Sequence, residues 1–292
     1  MRVLFVGGTG SIGPHVARQL YERGDDVTLF HRGQHESDEL PEGVRHVRSE
    51  HASIPVESFP PVLLRGDFDV VVHMIPMGEA DAKAAVEAFG GRANRLVALS
   101  SGDVYRAYGR FIGLESGPCE KGLLTEDSPL RQTLYPYRKH AKSSNELNYY
   151  YDKMLVEREV LSQSQLPTVV LRLPKVYGRG DNANLSTIYG SRNHPNWRWT
   201  HGYVENVAAA ISLAAVHENA AGHVYNVGEV YTPTVAERLQ NLPPSAIPAE
   251  DVGSFNYQQD IAYDTTRIRK ELGYCERVSY EEGIRRTLRL PK

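Results

Sequence analysis

Three glycines near the start of the chain are spaced to hold phosphate. Gly7-Gly8-Thr9-Gly10-Ser11-Ile12-Gly13 follows the apolar run Val3-Leu4-Phe5-Val6 and precedes a segment with Val16, Ala17 and Leu20 at helical spacing. Gly7 permits a tight turn off a strand, Gly10 lets the backbone approach a pyrophosphate, and Gly13 lets the helix pack close to the sheet. The helix N-terminus, with Ser11 and Ile12, supplies free N–H donors and a positive dipole end. The spacing is GxxGxxG rather than GxGxxG, so the order strand, glycine loop, helix carries the reading of a dinucleotide site. A second set could do proton chemistry. Ser100-Ser101 ends the apolar run Leu96-Val97-Ala98-Leu99, and Tyr149-Tyr150-Tyr151-Asp152-Lys153 comes later. Tyr149 and Lys153 are i and i+4, which on a helix share one face. A phenol with a pKa near ~10 is a poor base at neutral pH. A nearby ammonium and the positive nicotinamide of a bound cofactor favour the phenolate. The spacing therefore predicts Tyr149 as base, with Tyr150 and Tyr151 as packing or pocket wall. Lys153 would also reach the nicotinamide ribose, and Ser101 would steady a substrate oxygen.

The elements needed to position these groups recur along the chain. Strands are expected at 26–30, 45–48, 68–73, 95–99, 168–173 and 222–227, with helices at 80–89, 146–161 and 203–216. Strands alternating with helices imply a parallel sheet wound on both faces. The second strand ends in His31-Arg32-Gly33, while Asp25 and Asp26 sit at its other end. An acid at the strand's far end would bind the ribose hydroxyls of NAD. Arg32 instead suits a 2′-phosphate, so NADP is favoured over NAD. The alternative is a solvent-facing Arg32, or one stacked on adenine. His73, ending the fourth strand, reads as a cofactor-edge or packing residue.

Composition narrows the class. Of 292 residues, Lys plus Arg total 33 and Asp plus Glu 36, a formal charge of −3 that argues against general capture of nucleic acid. Two cysteines make no disulfide framework, and no compact ligand set predicts a metal. No apolar run approaches the ~20 residues that span a bilayer. The expectation is a cytoplasmic protein without membrane contact.

Together the motifs resemble extended short-chain dehydrogenases/reductases, the NAD-dependent epimerase/dehydratase family. The resemblance lies in the glycine loop, in Ser101 four residues before Tyr105, in Tyr149-xxx-Lys153 and in Arg172-Leu173-Pro174-Lys175-Val176-Tyr177-Gly178. Tyr203-Val204-Glu205-Asn206-Val207-Ala208 and Tyr263-Asp264-Thr265-Thr266-Arg267 resemble later segments of the same family. The resemblance implies an α/β, doubly wound parallel Rossmann sheet over residues 1–176. A small C-terminal substrate lobe would span 177–292, with 201–228 returning to the Rossmann domain. It also implies NAD(P)-dependent hydride transfer on a sugar or nucleotide-sugar-like alcohol, and a homodimer as is frequent in the family. Ser101, Tyr149 and Lys153 would be catalytic. Cofactor contacts would include Gly7, Gly10, Ser11, Ile12, Gly13, His31, Arg32, His73, Lys153, Pro174 and Val176. Substrate contacts would include Ser101, Lys175 and Arg198. Lys175 stands where Asn is common in the family, and the stretches 182–197 and 238–248 are short for its substrate lobe. The glycine-loop region and Phe30-His31-Arg32-Gly33 are also similar to an atypical branch that includes chloroplast stem-loop RNA-binding proteins. With the basic run Arg138-Lys139-His140-Ala141-Lys142, that motivates an alternative: a cofactor-holding RNA-binding or regulatory protein with a vestigial active site.

Overall fold

The computed structural model describes residues 1–34, 37–49, 54–249 and 255–290. Its strands are β1 (Arg2–Val6), β2 (Asp26–His31), β3 (Arg45–Arg48), β4 (Val70–His73), β5 (Arg95–Ser101), β6 (Thr168–Leu173), β7 (Lys175–Tyr177), β8 (His201–Tyr203) and β9 (Val224–Asn226). Seven of them form one sheet in the order β3-β2-β1-β4-β5-β6-β9. Every pairing in it is parallel. The order reverses between β1 and β4, where two crossovers leave the sheet in opposite directions and open a crevice beyond the strand ends. β7 and β8 form a separate parallel pair.

The unbroken apolar runs follow from burial on both faces. Val3, Phe5, Val70, Val72, Val97 and Leu99 pack in one core with Val16, Leu20, Val207 and Ile211. The alternate residues Leu4, Val6, Val71, Leu96 and Ala98 pack in a second core with Ala82, Val86, Val156 and Val160. Past residue 177, the helix Val204–Val216 and strand β9 join the main layers, and Ile268, Leu272 and Ile284 of later helices pack into the first core. A third cluster with Tyr105, Phe111, Trp197, Ile261 and Tyr263 sits beside the carboxyl end of β5 and makes the lobe.

One expected element is absent. Instead of a single helix over 146–161, the chain forms a short helix Leu147–Tyr150 and a second helix Lys153–Leu161. Tyr151 and Asp152 between them are extended.

Candidate active site

The crevice at the end of β1 is walled by backbone. Gly7 and Gly8 turn off the strand with φ of +87° and +98°, conformations that favour glycine. A Cβ on Gly13 would lie 2.0 Å from the Gly8 carbonyl oxygen, so the helix Gly13–Glu22 meets the loop closely only because no side chain intervenes. A Cβ on Gly10 would meet nothing within 4 Å. The crevice holds about 890 Å³, and Gly7, Gly10, Ser11, His31 and Arg32 line it. Ile12 and Gly13 do not: Ile12 packs on the first core and Gly13 is buried, and they form the cap and first residue of the helix Gly13–Glu22. Asp25 is taken by the Met1 ammonium and Arg23, and Asp26 by Arg45, leaving neither at the ribose end. Asp38 and Glu39 line the crevice unannounced, with Glu39 beside His15 and Arg179.

Of its two readings, His73 has the surroundings of a packing residue. It is 1 % exposed, paired in register with Val6 and Ala98, and does not line the crevice; Ile75 does. Neither ring nitrogen has a partner among the described residues. Burial, and then the Lys153 charge, hold its pKa down at about 3.

A second cavity of about 210 Å³ opens at the end of β5, between the main sheet and the lobe. Ser101, Asp103, Tyr108, Tyr137, Tyr151, Pro174, Lys175, Trp199 and Tyr263 are among its walls. The Ser101 hydroxyl accepts the Asp103 amide at 3.3 Å. The Asp103 carboxylate accepts the Tyr151 phenol at 2.8 Å and the Tyr137 phenol at 3.4 Å through one oxygen. Its other oxygen has no partner among the described residues. Tyr137 in turn shares a 3.1 Å hydrogen bond with Tyr108. Burial raises the Asp103 carboxyl, and burial and then Asp103 raise Tyr151. Lys153 is buried under this cavity, donating to the carbonyls of Pro76 and Leu99, the latter at 3.0 Å. Burial lowers its pKa to about 8, against the pull of Asp103, Asp81 and Glu157. Its ammonium stands 5.7 Å from the centre of the Tyr151 ring.

Tyr149 and Lys153 do not share a helix face. The Asp152 side chain caps the helix that begins at Lys153, accepting the Met154 amide at 2.9 Å. It also binds Arg131 at 3.0 Å with both side chains fully buried, and its amide donates to Met77. These ties end the preceding turn and break the i, i+4 relation. Tyr149 is 38 % exposed; its ring lies against Arg138 and its carbonyl accepts the Arg138 guanidinium at 2.7 Å. Tyr151, read as packing or pocket wall, is the member of the tyrosine run that lines the cavity with Ser101. An Asp directly before the helix is a capping signal that points to this break.

The remaining expectations divide. Pro174 and Lys175 line the cavity, whereas Val176 is buried in the first core. Arg198 does not line it: its amide donates to Asp260 and it bridges to Thr234, while Trp199 next to it faces the cavity. Among the described residues no group of three His, Cys, Asp or Glu is placed to hold a metal, and no helix is long and apolar enough to cross a membrane.

Solved structures share this architecture. A UDP-glucose 4-epimerase from Thermotoga maritima, solved with UDP-glucose, has a TM-score of 0.69 at 20 % identity, covering 99 % of this chain and 98 % of its own. The dTDP-glucose 4,6-dehydratase DesIV from Streptomyces venezuelae, solved with NAD bound, has a TM-score of 0.69 at 20 % identity, covering 99 % and 96 %. An uncharacterized protein of Sinorhizobium fredii is 24 % identical over 346 aligned positions, covering 98 % of this chain and 94 % of that protein. The family model described as NAD dependent epimerase/dehydratase matches residues 3–228. The chain thus belongs to the NAD-dependent epimerase/dehydratase family, enzymes of the short-chain dehydrogenase type.

Proposed function

We propose that this enzyme oxidises or epimerises a sugar-like alcohol by hydride transfer, with the dinucleotide in the glycine crevice and the alcohol in the cavity beside Ser101. The observation that carries the reading is their joint placement at the carboxyl edge of one parallel sheet, past β1 and past β5. The crevice fits a dinucleotide: Gly10 leaves the approach to a phosphate open, and the helix beginning at Gly13 directs its terminus there. A bound nicotinamide would supply a two-electron hydride acceptor or donor. Arg32 on the exposed rim has no partner among the described residues, which supports NADP over NAD.

Ser101 holds the substrate oxygen. Tyr151 accepts the hydroxyl proton as it passes its own to the Asp103 carboxylate, so no free phenolate is needed at neutral pH. Lys153 orients this group by tying the loop after β4 to β5 through the carbonyls of Pro76 and Leu99. This reading moves the proton-transfer role from Tyr149 to Tyr151. The test is turnover on a panel of sugars and sugar nucleotides, followed by nicotinamide absorbance. Tyr151→Phe is expected to lower turnover by about 100-fold or more, in line with general acid–base catalysis. Tyr149→Phe should stay within about threefold. The reverse pattern would return the role to Tyr149.

A further inference from the structure

We infer that the cavity beside Ser101 takes a free sugar acid of monosaccharide size, and not a sugar carried on a nucleotide. This names a substrate class for the hydride-transfer reading above and rests on it. The first ground is space. The cavity measures about 210 Å³, against about 890 Å³ for the crevice alongside. Pockets for drug-sized ligands fall at roughly 300–1,000 Å³. The crevice suits a dinucleotide, and the cavity is of a size for one sugar ring.

The second ground is charge. A diphosphate is held by several cationic or N–H donors arranged together. Among the described residues no arginine lines the cavity. Arg131, fully buried, binds Asp152 and the carbonyls of Asp103 and Thr133. Arg238 binds Glu229 and the Trp199 carbonyl, and Arg198 stands outside the lining. Lys175 is the cation that lines the cavity, and its ammonium has no hydrogen-bond or ion-pair partner among the described residues. A lone ammonium matches one carboxylate. It does not match two linked phosphates.

The third ground is the wall itself. Tyr108, Trp199 and Tyr263 line it with aromatic rings, while the Ser101 hydroxyl can pair with those of a sugar. The carboxylate of the ligand would then lie at Lys175, away from the Asp103 charge.

The test is saturation-transfer difference NMR on the protein saturated with NADP+ or NAD+, whichever a prior titration shows to bind. The ligands are D-glucuronate, D-galacturonate, D-gluconate, D-glucose, UDP-glucose and UDP-glucuronate. At least one free sugar acid should give a saturation signal, glucose should bind at least fivefold more weakly, and neither UDP-sugar should respond. Lys175→Met should weaken the sugar acid about tenfold while cofactor affinity holds. A response from a UDP-sugar, silence from all three sugar acids, or full binding by Lys175→Met would overturn the inference while leaving the hydride-transfer reading in place. If neither nicotinamide cofactor binds, both fall.

Discussion

In the glycine crevice the floor past β1 is the main chain of Gly7, Gly8 and Gly10, whereas the tyrosine cavity is walled by side chains. The turn at its floor is set by Gly7, Gly8 and Gly13, close together in the chain, while Arg32, Asp38, Glu39, Ile75 and Arg179 bring side chains to its walls. The cavity is assembled from Ser101, Tyr108, Tyr137, Tyr151, Lys175 and Trp199, six positions spread over about a hundred residues on two strands, one helix and three loops. Its geometry therefore hangs on ties that lie outside the cavity itself. The buried Arg131–Asp152 pair is one: it joins the loop that carries Tyr137 to the residue that follows Tyr151. A backbone site tolerates change around it and fails by clash. A side-chain site fails when a distant tie is cut.

Breaking that tie is expected to have the largest effect. Asp152→Ala leaves the Arg131 charge buried without its partner and removes a helix cap, which costs about 4 kcal/mol. Urea unfolding measures it; a loss under about 1 kcal/mol would mean that the pair is dispensable. The variant should also lose the cavity while the crevice, measured by cofactor fluorescence, keeps its affinity in whatever fraction stays folded.

Next comes the neutral histidine between the two sites. With a native pKa of about 3 and an unfolded value of 6.5, His73 binds its proton only in the unfolded chain between those values. The stability it permits is present above pH 6.5 and is lost as pH falls toward 3. At pH 4 wild type should lose about 3 kcal/mol, relative to neutral pH, more than His73→Met does. Equal losses in paired denaturation curves at the two pH values would show that the ring meets water.

At the crevice, Gly13→Ala forces a methyl onto the Gly8 carbonyl. Stability should drop by roughly 2 kcal/mol, the order of an overpacked core, and cofactor binding should become undetectable by titration. Unchanged affinity would break the contrast drawn above. The smallest effect is expected at the rim, where Arg32→Ser should cut the NADPH:NADH affinity ratio about tenfold, close to 1.4 kcal/mol. A ratio that does not move would assign the 2′-position to other groups, with Asp38 and Glu39 then favouring NAD.

The same contrast explains what could be read from sequence. β1, its loop and the following helix were legible because a buried strand, glycine spacing and helical periodicity all fall within residues 2–22. The spacing of Tyr149 and Lys153 does not give a shared face because it is helical only on paper, whereas Asp152 caps a new helix at Lys153. The capping signal was present but local, and its force comes from Arg131, twenty-one residues earlier. Tyr108 and Tyr137 carry no motif, and only the fold brings their hydroxyls together. Trp197 stacks on Phe111 within the third core, and His194 stacks on Tyr257 beside it, contacts that no local sequence pattern announces.

The two outermost strands of the sheet have a consequence for how the molecule keeps to itself. β3 spans four residues and β9 three, so each offers only a few unpaired backbone groups to a neighbouring chain. β3 reads Arg45-His46-Val47-Arg48, and a cation at each end opposes the approach of a like strand. At the other edge, Asn226 spends its side chain on the carbonyls of Leu124 and Asp264 and on the Tyr105 phenol. A sheet of seven strands is thus closed to templated edge-to-edge growth without being closed into a barrel, and lengthening either edge strand with apolar residues is where aggregation would begin.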